Sequence, residues 1–209
     1  MTEREMITLA EQEGFAAAAL VDTKEIVFDP MFRPFCAENL CGQYGVNYSC
    51  PPDCGSPEEM KQRVLAHKRG LVLQTIWEIS DYTDKKAIKH AKSSHNSAAI
   101  RLMKQFRQDG KEGFLVGASG CALCSPCALK EGKPCAFPDL RYSCMSAYCI
   151  FVRKLAEQMT ASRRGEIPQS PKELIDAAMQ RMPKPAVQSM TWHDADEDEA
   201  ESSESSPSP

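Results

Sequence analysis

The sequence predicts an α+β or α/β fold: a small mixed or parallel sheet flanked by helices, with two cysteine-rich metal-binding loops at one edge. Three observations lead there. Segments with helical spacing alternate with short apolar runs of strand character. Of the 10 cysteines in 209 residues, eight fall in two loops, each placed after a predicted strand. No apolar run approaches the ~18 residues that span a bilayer, so the apolar residues, 42% of the chain, are expected in a core and not in a membrane.

The elements follow in order. Residues 3–13 read as a helix, and Phe15 to Asp22 as a buried strand continued loosely by Glu25 to Phe28. A Pro- and Cys-rich loop runs from Pro30 to Pro57. A helix then starts at Ser56 as N-cap, with Pro57 in its first position and Glu58 and Glu59 in its first turn. The hydroxyl satisfies a free amide, and the carboxylates favour the positive helix end. Gly70 is expected to end that helix, and Leu71 to Ile79 has the β-branched and aromatic content of a strand. A long helix spans about Asp84 to Asp109, because Ile88, Ala91, Ala98, Leu102 and Phe106 return to one face. Gly113 to Ser119 is a short strand leading into the second cysteine loop, and Met145 to Met159 reads as a further helix.

These elements make residues 1–160 one cysteine-rich metal-binding domain. Residues 161–193 are a linker with a short helix near 171–182. Residues 194–209 hold acidic groups and no basic one, and so form a disordered tail. The tail alone makes the net charge of −4 negative. The basic residues of the long helix form a solvated face, because the surplus and interleaved aromatics of a nucleic-acid surface are missing. The first residues lack the basic patch, apolar run and cleavage site of a secretory signal. A cytoplasmic location is therefore expected. In that reducing setting, clustered thiols point to metal or redox chemistry and not to disulfides.

The second loop has the spacing C-x2-C-x2-C-x7-C through Cys121, Cys124, Cys127 and Cys135. Three cysteines in seven residues curl the backbone around a point. That suits the several iron corners of a [4Fe–4S] cluster, which ferredoxins hold with a C-x2-C-x2-C run and a more distant fourth cysteine. Zinc favours two separate two-residue knuckles and is the alternative. Lys130, Lys133 and Arg141 lie close in sequence and could offset cluster charge.

The first loop has the spacing C-x4-C-x8-C-x3-C through Cys36, Cys41, Cys50 and Cys54. It either forms its own four-cysteine site or lends a thiolate to the second loop, with Cys50 the best donor. Cys144 and Cys149 fall at or inside a predicted helix and read as core or near-core residues, with a supporting ligand role as the lesser option.

His95, on the apolar face of the long helix, is either a ligand or proton donor beside the metal or a buried, hydrogen-bonded core histidine. No motif nominates a nucleophile with its base.

The two loops together resemble a bacterial and archaeal family of predicted metal-binding proteins, domain of unknown function 2284. Its first element matches Arg33, Cys36, Cys41, Tyr44, Gly45, Ser49, Cys50, Pro51 and Pro52. Its second matches Cys121, Leu123, Cys124, Cys127, Gly132, Pro134, Cys135 and Pro138. A histidine on the preceding helix corresponds to His95. The resemblance covers roughly residues 10–160 and implies metal binding but no reaction. The expected role is electron transfer or redox sensing for a partner protein. A zinc-stapled interaction module, or an enzyme with substrate at an open cluster iron and His95 as acid or base, are the rivals. An ultraviolet–visible spectrum with metal analysis discriminates iron–sulfur from zinc.

Overall fold

The structure, a computed structural model, describes residues 1–162. The expectations for the linker, the helix near 171–182 and the acidic tail lie outside them. Among the described residues the fold is α+β, with five α-helices and two separate two-stranded sheets.

Helix α1 (Glu3–Gln12) starts at a capping box in which Thr2 and Glu5 satisfy each other's free amides. Strand β1 (Ala17–Asp22) follows, and its small side chains let both faces be covered. Ala18 packs with Phe15, Ala98 and Leu102, which joins α1 and α4 to the sheet. Ala17 and Ala19 turn the other way, onto Met159 of the last helix.

The strand does not continue through Glu25 to Phe28. Thr23 to Glu25 make a 3-10 turn capped by Asp22, and Phe28 forms a lone bridge with Ile150. Helix α2 (Arg33–Ala37) and the first cysteine loop come next. Helix α3 (Pro57–Leu65) begins as read, on a Ser56 and Glu59 capping box. It ends at Leu65, however, and Gly70 lies inside strand β2 (Arg69–Gln74), opposite Val21.

Strands β1 and β2 pair antiparallel, from Ala17 against Gln74 to Asp22 against Arg69. Of the mixed or parallel sheet expected, this pair is an antiparallel part, although a helix lies between its strands. A parallel pair needs a crossover that carries the chain back along the sheet. Here Met60 and Val64 of the short α3 pack beside Val21 at the carboxyl end of β1. The chain therefore re-enters where it left, and the Thr23 N–H bond to the Lys68 carbonyl, 3.2 Å, continues the ladder. The first cysteine loop is thus an excursion from a long hairpin.

Helix α4 (Lys85–Gln108) is capped by Asp84. The strand expected over Gly113 to Ser119 shortens to β3 (Val116–Gly117), which pairs in parallel with β4 (Ser143–Cys144). The second cysteine loop is the connection between these two strands. Gly117 is required there: a side chain on it would begin 2.6 Å from the Tyr142 ring.

The helix expected from Met145 starts only at Val152, as α5 (Val152–Ser162). Its proposed first turns are diverted by tertiary bonds. The Met145 N–H bonds the Gly117 carbonyl, the Ala147 carbonyl accepts from Arg33, and the Cys149 carbonyl accepts from the Asp29 N–H. Carbonyls so engaged cannot serve a helix, and Cys149 turns left-handed at φ 57°. Among the described residues no helix is long and apolar enough to cross a membrane.

Candidate metal centre

The two loops meet through a short stretch that the cysteine pattern alone does not pick out, Asn47–Tyr48–Ser49. Asn47 turns the backbone by accepting the Ser49 N–H at 3.0 Å, the local bond that makes Asn a turn residue. Ser49 is fully buried. Its Oγ accepts the Cys121 N–H at 2.9 Å and donates to Asn47 Oδ1 at 2.9 Å. Asn47 Nδ2 donates to the Cys121 carbonyl at 3.1 Å, and the Tyr48 hydroxyl to the Lys133 carbonyl at 2.9 Å. The first loop is the floor on which the second rests.

Above that floor the four second-loop thiols, Cys121, Cys124, Cys127 and Cys135, line one narrow hollow of about 10 Å³. Its wall includes Arg141, whose guanidinium lies 5.8 Å from the Tyr48 ring centre. Four thiols facing one hollow beside a cation suit a soft, thiolate-binding metal. Among the described residues, no three Cys, His, Asp or Glu side chains stand close enough to hold an ion as they are. A metal held there would have to draw the thiols inward. Burial raises the pKa of Cys121, so such a metal would also have to displace its proton.

The first-loop thiols are placed differently. Cys36 and Cys54 are half-buried, Cys41 is exposed and Cys50 is buried. Burial pushes the Cys50 thiol up to about 12, against a hydrogen bond from Ser49. Burial also raises Cys54, opposed by the nearby Arg33 guanidinium. Arg33 reaches Cys54 Sγ at 3.6 Å, the Gly55 carbonyl at 3.0 Å and the Ala147 carbonyl at 2.8 Å. Cys50 also adjoins the second loop: a side chain on Gly120 would begin 3.3 Å from its Sγ.

The two cysteines read as core or near-core are so placed: Cys149 is buried, and Cys144, in β4, is half-buried against the core group that includes Tyr148. His95 hydrogen-bonds Thr75 at 3.0 Å and packs edge-on against Phe15. It lines a separate, mainly apolar cavity of about 270 Å³ beside Leu73 and Leu102. Burial lowers its pKa.

The next residue on α4, Asn96, reaches the start of the second loop. It is buried, donates to Ser119 Oγ at 2.8 Å and accepts the Ala118 N–H at 2.8 Å. Its signal in the sequence was a polar residue on the apolar side of a helix.

This geometry defines a small α+β protein with two thiol-bearing loops packed on each other. The chain belongs to the family of predicted metal-binding proteins, domain of unknown function 2284, whose model matches residues 19–171. No curated protein and no solved structure matches the chain.

Proposed function

We propose that the second loop carries a [4Fe–4S] cluster on Cys121, Cys124, Cys127 and Cys135, and that the protein transfers or senses electrons for a partner protein in the cytoplasm. The observation that carries this reading is the single hollow lined by all four thiols. Their C-x2-C-x2-C-x7-C spacing supports iron over the paired knuckles of zinc. Bound there, a cluster would supply a one-electron couple. Arg141 beside the hollow and hydrogen bonds to the sulfurs would tune its potential, as neighbouring charge and hydrogen bonding do in such centres. The reducing compartment would keep the ligand thiols free.

The test is an ultraviolet–visible spectrum of protein purified without oxygen, with metal and sulfide analysis. Broad absorption near ~400 nm that dithionite bleaches is the expected result. A colourless protein holding stoichiometric zinc would replace the reading with a zinc-stapled module.

A further inference from the structure

Cys144 reads from the sequence as a core or near-core residue with a lesser ligand option, and its place in the fold bears on that option. Strand β4 places it opposite Gly117. Three residues past Gly117, a side chain on Gly120 would begin 3.3 Å from the Cys50 sulfur. Cys54 and Cys144 pack against the same core group, which includes Ala147 and Tyr148. Arg33 clamps these pieces together, holding Cys54 and Gly55 with one nitrogen and the Ala147 carbonyl with another. Cys36 lies three residues after Arg33 on α2, one helical turn along.

The Arg33 Nε is buried and has no hydrogen-bond partner. A buried donor without a partner is costly, and a metal held by four thiolates is an anion that can face it. Cys41 fits less well, because it is exposed.

We propose that Cys144 completes a second metal centre with Cys36, Cys50 and Cys54, with Arg33 as its counter-charge. This rests on the reading that the chain's thiols hold metal, but not on that metal being iron. The centre draws ligands from both sheets: Cys36, Cys50 and Cys54 from the hairpin excursion, Cys144 from the strand that closes the second loop. Binding forms metal–thiolate bonds and releases the thiol protons.

The experiment measures metal and acid-labile sulfide per chain in full-length protein purified without oxygen. The wild type is compared with Cys144→Ser, Cys124→Ala, the double variant, Cys41→Ala and Cys149→Ala. The expected result is that Cys144→Ser and Cys124→Ala each halve the metal, the double variant loses all of it, and the last two keep it. Zinc in place of iron, with the same halving, keeps this inference and overturns the iron–sulfur reading. A single centre lost with Cys144→Ser and kept with Cys124→Ala does the same. Full metal in Cys144→Ser, or a wild type with no metal, overturns the inference.

Should Cys144→Ser unfold, alkylation of the native wild type decides. Cys144 protected with Cys36, Cys50 and Cys54, until a chelator removes the metal, supports the centre. Cys144 labelled as fast as exposed Cys41 overturns it.

Discussion

The two cysteine loops differ in what holds them. The first leaves and re-enters an antiparallel hairpin at one place, and its anchors are buried: Ser49, Asn47 and Cys50. The second joins two parallel strands of two residues each and keeps its thiols half-buried around a hollow. Its hydrogen bonds to the rest include those from Asn47, Tyr48 and Ser49 below and from Asn96 and Arg107 of α4 behind. The lesson is a division of labour. The first loop is scaffold as well as thiol donor, while the second is a container shaped by its neighbours. Damage to the first should therefore reach the second, and the reverse should be weak.

The largest expected effect breaks the container and spares the scaffold. Cys124→Ala should lose the metal of the second loop, because bound metal is part of the folding energy of such loops. Cys149→Ala should cost only a packing term of about 1–2 kcal/mol and leave metal content intact, as metal analysis beside chemical denaturation will show.

Gly117→Ala comes next. Its new methyl would meet the Tyr142 ring at 2.6 Å, and overpacking of this kind costs about 1–3 kcal/mol. A thermal midpoint unchanged from wild type would show that the β3–β4 junction yields freely.

Ser49→Ala tests the floor. It leaves the Cys121 N–H without its acceptor, a loss of about 1–3 kcal/mol for a buried group. Ser125→Ala, at an exposed position inside the second loop, should stay within about 0.5 kcal/mol. Equal losses would erase the distinction between floor and container.

The smallest effect is a pH dependence away from both loops. Burial lowers the His95 pKa from 6.5. Below about pH 6.5 the unfolded histidine takes a proton that the folded one resists, so stability is full above that pH and falls as the pH drops toward the lowered folded value. His95→Gln should flatten that part of a denaturation-against-pH curve, and an unchanged curve would mean that His95 does not stay neutral in the fold.

What the sequence made legible was local. The cap at Ser56 and the span of α4 followed from residues within one or two turns of each other. Pairing did not follow, because nothing in Leu71 to Gln74 says from which end the strand enters the sheet. The helix expected at Met145 failed for a related reason. Its apolar spacing is real, but Arg33 and Asp29, far away in the chain, take the carbonyls it would need. In the site, the spacing of Cys121 to Cys135 announced one shared hollow. The roles of Asn47 and Asn96 were hidden, since each is defined by a partner from another part of the chain.

The pairing of Asp22 with Arg69 sets an order of assembly. A ladder that closes only after the whole first loop has been spanned must overcome the entropy of that excursion, and such non-local pairings form slowly. During synthesis the first loop emerges before the second, yet it is fixed in place only once β2 has emerged and zipped back onto β1. Until then Cys121 to Cys135 have no floor. On the proposed reading, metal that reached the second loop before the hairpin had closed would find no floor beneath it, so the timing of its delivery would count as well as its supply.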